Sequence, residues 1–192
     1  MNWALIVKIC AFKKKLMRPL TVYIMTNGAL LDEEKILFLK ENDIVLSISY
    51  DGSATNRHRK TALVKDLQKH LEDVFHIYKK HNYFCAITWC LCEDGAKDLE
   101  KDVKFLIDTY GETICNIDVN PVNLIKNGKL EKALKNVMKK FPGKVCGYYC
   151  KYCIKYDDCP RREGETRAVE VTHFSSDGAI YNDIEIKGTM RK

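Results

Sequence analysis

Apolar residues gather in four short runs, at positions 20–25, 44–49, 84–91 and 114–119, each rich in Val, Ile, Tyr or Thr. Runs of this length between turn residues predict strands, and their nearly continuous apolar character predicts cover on both faces, as in a parallel sheet. Helical spacing fills the gaps. Asp32 is placed to cap a helix reaching about Asn42, with Glu33 and Glu34 in a first turn where the helix dipole favours carboxylates. Between Thr61 and His81, Leu63, Leu67, Leu71, Val74, Phe75 and Tyr78 form one apolar stripe. Leu99, Val103, Leu106, Ile107 and Tyr110 form another, with Gly111 placed to end it. Leu130, Leu134, Val137, Met138 and Phe141 form a last one, which stops at Pro142-Gly143.

Alternation of this kind predicts an α/β fold of about four parallel βα units with right-handed crossovers. Residues 1–15 read as a buried helix and not as a signal peptide, because Lys8 interrupts the apolar run and no basic region precedes it. No stretch of 18 apolar residues exists, so no transmembrane helix is expected. After Pro142 the pattern changes to Cys, Tyr, Lys and Gly. Two strand-like runs follow, 168–174 and 179–186, joined by the hairpin-type turn Ser176-Asp177-Gly178. Two units are therefore predicted: the βα units over 1–142 and a cysteine-rich segment with a β-hairpin over 143–192.

Charge changes this picture little. The chain carries 32 Lys and Arg against 26 Asp and Glu, a net +6. The lysines are spread along helical faces, as solvated surface is, and no basic face with interleaved aromatics points to nucleic acid. Cysteine changes it more. Nine cysteines, an odd number without a secretory signal, fit a reducing, cytoplasmic setting and metal or iron–sulfur binding better than a disulfide framework. Cys10, Cys85, Cys90, Cys92 and Cys115 lie in apolar runs and are expected to be small buried hydrophobes. Cys146, Cys150, Cys153 and Cys159 crowd into fourteen residues of polar and aromatic sequence. Four thiolates at this spacing match a [4Fe–4S] cluster or tetrahedral zinc.

Parallel α/β folds bind ligands at the C-terminal ends of their strands. Those ends carry Thr26-Asn27-Gly28, Ser49-Tyr50-Asp51-Gly52, Cys92-Glu93-Asp94-Gly95 and Asn120-Pro121-Val122. Each alone reads as a turn, and Asp51, Asp94 and Asp177 all precede glycine. The order is more telling. Tyr23-Ile24-Met25-Thr26-Asn27-Gly28-Ala29-Leu30-Leu31 leads into a helix, then come Ser49-Tyr50-Asp51-Gly52 and Asn56-Arg57-His58-Arg59. This series resembles the third and fourth βα units of the barrel of radical S-adenosylmethionine (SAM) proteins, close to the branch of anaerobic sulfatase-maturating and peptide-modifying enzymes. The likeness covers residues 1 to about 125 and implies that residues 1–142 form a partial parallel (β/α) barrel. It implies that Ser49, with Arg57 or Arg59, contacts the ribose or carboxylate of SAM, and that Thr26, Asn27 and Asp51 belong to the same pocket.

The family's C-x-x-x-C-x-x-C motif is absent upstream of Thr26, where Cys10 is the single cysteine, and so is its Gly-Gly-Glu-Pro segment. Three such cysteinates leave one iron open for SAM, and that cluster delivers the electron that cleaves the sulfonium. The resemblance thus implies an N-terminally truncated member that does not cleave SAM alone, with the missing strands encoded upstream or supplied by a separate chain. Cys150, Cys153 and Cys159 resemble the auxiliary-cluster (SPASM or twitch) segment that follows such barrels. Asn182 stands about where a further cysteine is expected, which leaves Cys146 as fourth ligand or one iron open. A rival assignment gives Cys146, Cys150 and Cys153 the spacing of the SAM-cluster motif itself. Family substrates are peptides or small molecules. From a different class, the chain reads as a zinc-binding, four-cysteine interaction or nucleic-acid module on a βα scaffold. Arg161, Arg162 and Arg167 flank the cysteines as surface charge or cluster partners. His70, His76 and His81 read as surface or boundary residues, and no hydrolase constellation or P-loop is present.

Overall fold

A computed structural model describes residues 2–16, 21–121 and 128–147, and the backbone of 169–174 and 180–185. The chain opens with helix α1 (Trp3–Lys15), followed by β1 (Val22–Thr26), α2 (Glu33–Glu41), β2 (Ile44–Ser49), a 3-10 turn (Gly52–Ala54) and the short α3 (Thr55–His58). Then come α4 (Leu67–Lys80), β3 (Cys85–Leu91), α5 (Leu99–Tyr110), β4 (Ile114–Pro121), α6 (Gly128–Lys140) and β5 (Val145–Gly147). Strands β6 (Val169–Phe174) and β7 (Ile180–Glu185) form an antiparallel pair, and the turn expected at 176–178 lies outside the described residues.

Strands β1 to β5 form one parallel sheet in sequential order. The α/β class and the partial βα barrel expected from sequence are therefore what the chain builds. The fifth strand, β5, pairs with β4 on the C-terminal side of Pro142, so the sheet runs past that residue. Parallel strands added always in one direction, through right-handed crossovers, put every helix on one face. The register divides the residues accordingly. Ile48, Ile87, Ile117 and Val145 align across four strands, as do Leu46 and Cys85, and all are fully or almost fully buried. They join the core that includes Ile36 and Leu39 of α2, Leu71 and Phe75 of α4, Leu106 of α5 and Leu134 of α6. The alternate positions are more polar: Ser47 and Asn116 share one rung with Met25 and Ala86, Ser49, Thr88, Asp118 and Cys146 form the next, and Cys90 and Asn120 lie beyond. The expectation of strands apolar on both faces is thus corrected. Helices cover one face, and the other carries hydroxyl, amide, carboxylate and thiol groups.

Helix ends are fixed locally. The Asp32 carboxylate accepts from the Lys35 amide at 2.9 Å, the cap foreseen from sequence. The stripe that began at Thr61 becomes a helix only at Leu67. Asp66 caps it, accepting from the Lys69 amide at 3.0 Å, and Asn56 Oδ1 takes the Gln68 amide at 2.9 Å. With those first-turn donors satisfied there, residues 61–66 lie outside the helix. Gly111 ends α5 as expected, standing at its C-cap with φ −59°. A Cβ there would sit 2.4 Å from the Ile107 carbonyl oxygen, so close approach is what favours glycine. Left-handed residues after helices include Asp43 and Asn82, which tolerate that region better than most side chains.

Two further expectations change. Helix α1 buries Ile6 and Cys10 and stacks Trp3 edge-on against Phe38 of α2, but Val7 and Phe12 remain exposed, so it is a surface helix with one buried stripe. Of the five scattered cysteines, Cys10 and Cys85 are buried as expected. Cys90 and Cys92 are half-buried and Cys115 is exposed. Cys90 falls on the polar face, Cys92 follows the end of β3, and Cys115 is the extra residue where Cys85 pairs with Ile114 but Ala86 pairs with Asn116.

The two-faced sheet makes a stability prediction. Leu46→Ala, on the helix-covered face, should cost about 2–5 kcal/mol. Val45→Thr, one position along and on the polar face, should cost under about 1 kcal/mol. Urea unfolding midpoints of the two variants check this, and equal losses would contradict the division of faces.

Candidate site at the strand C-termini

Because β1 to β4 are parallel, their C-terminal ends share one edge of the sheet. Thr26 ends β1 on the helix-covered rows, paired with Ile48, and its hydroxyl accepts from the Gly28 amide at 3.1 Å. Asn27 is exposed, and its side chain accepts from the Ala29 amide at 3.2 Å. Gly28 has φ +73°, and a Cβ there would meet Leu71 Cδ2 at 2.4 Å. The Thr-Asn-Gly turn is thus built to be tight, as its composition suggested. Ser49 ends β2 on the opposite, polar rows, in the rung with Thr88, Asp118 and Cys146. It is buried, and its hydroxyl has no hydrogen-bond partner among the described residues. Register therefore separates Thr26 from Ser49 by face while keeping both at one rim. Ser49 and Cys146, three strand spacings apart, stand about 14 Å from each other.

Asp51 organises this rim. Its side chain is buried, and it receives two parallel hydrogen bonds from Arg59, Nε to Oδ2 at 2.7 Å and Nη2 to Oδ1 at 2.8 Å. The Cys90 amide, at the end of β3, donates to Oδ1 at 2.8 Å. The Asp51 amide in turn donates to the Thr55 hydroxyl at 2.9 Å, which starts α3. One carboxylate so joins the loop after β2, the short helix and the neighbouring strand. Desolvation works against the charge on Arg59, but the Asp51 carboxylate outweighs it and holds the guanidinium protonated. The adjacent Gly52, at φ +59°, has no room for a side chain: a Cβ would lie 2.3 Å from Asp102 Oδ2 and 2.6 Å from Trp89.

The two candidate arginines are now distinct. Arg59 is mostly buried and committed to Asp51. Arg57 is exposed, with Nε 3.3 Å from Asp94 Oδ2. His58, between them, presents Nε2 to Asp94 at 3.0 and 3.1 Å and faces Asp51 Oδ2 with Nδ1 at 3.7 Å. The hydrogen bond from His58 is the main reason the Asp94 carboxyl titrates below the usual range. Cys92 lies beside this pair, its thiol pushed up first by burial and then by Asp94 and Asp51. Sequence reading passed over His58 and treated Cys92 as core. A signal was present, since a histidine between two arginines and a Cys-x-Asp pair both sit at strand ends.

The other expected metal ligands, Cys150, Cys153 and Cys159, lie outside the described residues, as do Arg161, Arg162 and Arg167. Cys146 is half-buried on β5. His70, His76 and His81 sit along α4 as partners of the Gly28 carbonyl, the Tyr110 hydroxyl and Glu33, consistent with boundary positions. Among the described residues no helix is long and apolar enough to cross a membrane.

What the fold and rim define is a parallel, singly wound (β/α) sheet with a polar edge at its strand C-termini. No family model matches the sequence, and no curated protein does. Solved structures do share the fold. A polyhistidine-tagged anSMEcpe, an anaerobic sulfatase-maturating enzyme of the radical SAM type, with bound AdoMet, matches at TM-score 0.62 and 19% identity over 77% of this chain. Native anSMEcpe with bound AdoMet and Kp18Cys peptide matches at TM-score 0.63 and 19% identity over 78%. The chain spans 46% and 47% of the length of those two structures.

The buried Asp51–Arg59 pair predicts a sharp stability effect. Asp51→Ala leaves a mostly buried guanidinium uncompensated and should cost about 3–5 kcal/mol. Adding Arg59→Met should recover part of that loss, because the stranded charge goes too. Denaturant midpoints of the single and double variants measure both, and an additive further loss would show that the pair is not the hub.

Proposed function

We infer that this chain is part of a radical SAM-type protein, with SAM held at the C-terminal rim of the sheet and an iron–sulfur cluster held by Cys146, Cys150, Cys153 and Cys159. The observation that carries this is the rung shared by Ser49 and Cys146. The polar face that starts at the candidate SAM serine ends on the first cysteine of the four-thiol segment. Fold likeness to AdoMet-bound structures supports the same reading.

The residues fit the ligand chemically. SAM offers ribose hydroxyls, a carboxylate and an ammonium. A buried Ser49 hydroxyl without a protein partner among the described residues suits a ribose oxygen or the carboxylate. Arg59 has N–H groups beyond those given to Asp51 and the Cys90 side chain, and its orientation is fixed in advance, which limits the ordering cost of binding an anion. Asn27, exposed at the same rim, supplies an amide. Four thiolates suit a [4Fe–4S] cluster, which supplies single electrons when bound. The substrate class is a peptide or small molecule held near the half-buried Asn116 and Asp118 of β4. A partner chain adding strands beside β1 would cover Tyr23 and Met25, both exposed there. The setting is the cytoplasm, where such thiols stay reduced.

Anaerobic reconstitution with iron and sulfide should give brown protein with broad visible absorption, lost in the Cys150→Ser, Cys153→Ser double variant. Colourless protein that keeps zinc through the same treatment would replace this reading with a zinc module. Titration calorimetry should show SAM binding that weakens about tenfold in Ser49→Ala, the loss of one good hydrogen bond. After reduction the 192-residue chain alone should release no 5′-deoxyadenosine from SAM, because no C-x-x-x-C-x-x-C precedes Thr26.

A further inference from the structure

We propose that His58, Cys92 and Asp94 form a zinc site with one open coordination position, separate from the four-cysteine segment. One donor atom from each residue lies within 4.8 Å of the others. Tetrahedral zinc with bonds near 2.0–2.3 Å holds its ligand atoms about 3.4 Å apart, so small side-chain rotations close the gap. Imidazole, thiolate and carboxylate are a mixed donor set that suits zinc, a borderline-soft ion without a geometric demand of its own.

The surroundings support the assignment independently. Nδ1 of His58 is buried and has no hydrogen-bond partner among the described residues, yet it faces Asp51 Oδ2 at 3.7 Å. Metal-bound histidines regularly direct their second nitrogen at a carboxylate, which fixes the tautomer and the ring. Here that tautomer puts the proton on Nδ1, toward Asp51, and leaves the Nε2 lone pair toward Cys92 and Asp94. In the metal-free protein a proton on Nε2, shared with Asp94 at 3.0 Å, occupies the place of the cation. Arg57 engages Oδ2 of Asp94 and leaves Oδ1 available. The ligands come from two loops already pinned together by Asp51, Arg59 and the Cys90 amide, so little ordering remains for binding.

Three protein ligands leave the fourth position for water or for an anionic or carbonyl group of a bound molecule. That position borders the Ser49 rim without depending on what occupies it. The site stands whether or not the chain binds SAM.

The test uses the full chain carrying Cys150→Ser and Cys153→Ser, which disables the four-cysteine set. After zinc loading and gel filtration it should retain about one zinc per chain, as a three-ligand site with strong donors does. Adding Cys92→Ser or, separately, Asp94→Ala should bring this near zero, with far-UV circular dichroism unchanged. Asp94 is half-exposed, so its variant tests the ligand role even if Cys92→Ser disturbs packing. Cobalt(II) in place of zinc should give a thiolate charge-transfer band in the near ultraviolet that Cys92→Ser abolishes. The proposal falls if the double-serine protein retains no zinc, or if zinc and the cobalt band survive in both added variants. Loss of brown colour in the reconstitution experiment would leave this result untouched, so the two readings fail separately.

Discussion

One topological constraint underlies the rest. Five parallel strands follow each other in sequence order, and each crossover has the same hand, so every helix lands on the same face. A sheet wound in both directions would place helices on both sides, and both sets of side chains would have to be apolar. Here only one set is. Ile48, Ile87, Ile117 and Val145 meet the helices, while Ser49, Thr88, Asp118 and Cys146 in the neighbouring rung do not. Polar groups at alternate strand positions are costly in a two-sided core and natural on the inner wall of a barrel.

The constraint also explains the position of the ligand edge. Parallel strands all end on one side, and the loops leaving them share that edge. Fixing those loops falls to Asp51, which binds Arg59, the Cys90 amide and, through its own amide, Thr55. A buried carboxylate with this many donors is favourable only because each charge is answered. The same carboxylate sits behind His58. The loop after β2 and the loop after β3 are therefore a single rigid piece, held by one ion pair and one His–Asp contact.

Much of this was legible in the sequence, for identifiable reasons. Helices announce themselves over ten residues or more, so α2, α5 and α6 fall where the apolar spacing put them. Strand Ile44–Ser49 matches the expected bounds. The two-faced sheet was also written there, as Leu46-Ser47-Ile48-Ser49 and Asn116-Ile117-Asp118-Val119-Asn120 alternate with period two. The high overall apolar content of the runs hid the alternation. What could not be read was long-range. Nothing local says that Arg59, and not Arg57, reaches back to Asp51, because the choice depends on how α3 turns the chain. Nor does sequence separation show His58 beside Cys92 and Asp94, residues that meet only when β3 pairs with β2. The start of α4 was misplaced because its cap is shared with Asn56, ten residues earlier than Asp66.

Coupling at the rim follows from the same contacts. An anionic ligand near Ser49 would draw on the Arg59 guanidinium, which Asp51 already holds. If the ligand takes the free N–H groups, the pair is kept and the rim binds without rearranging. If it competed for Nε and Nη2, Asp51 would lose its main partner, keep the Cys90 amide at 2.8 Å and turn toward the His58 Nδ1 at 3.7 Å. That second path would strengthen the histidine as a donor toward Cys92 and Asp94, since a carboxylate behind an imidazole raises its basicity. Binding at the serine and cation binding at the histidine would then favour one another through a single shared carboxylate. Linkage requires that coupling to be reciprocal and limits it to the free energy Asp51 can redistribute between two partners.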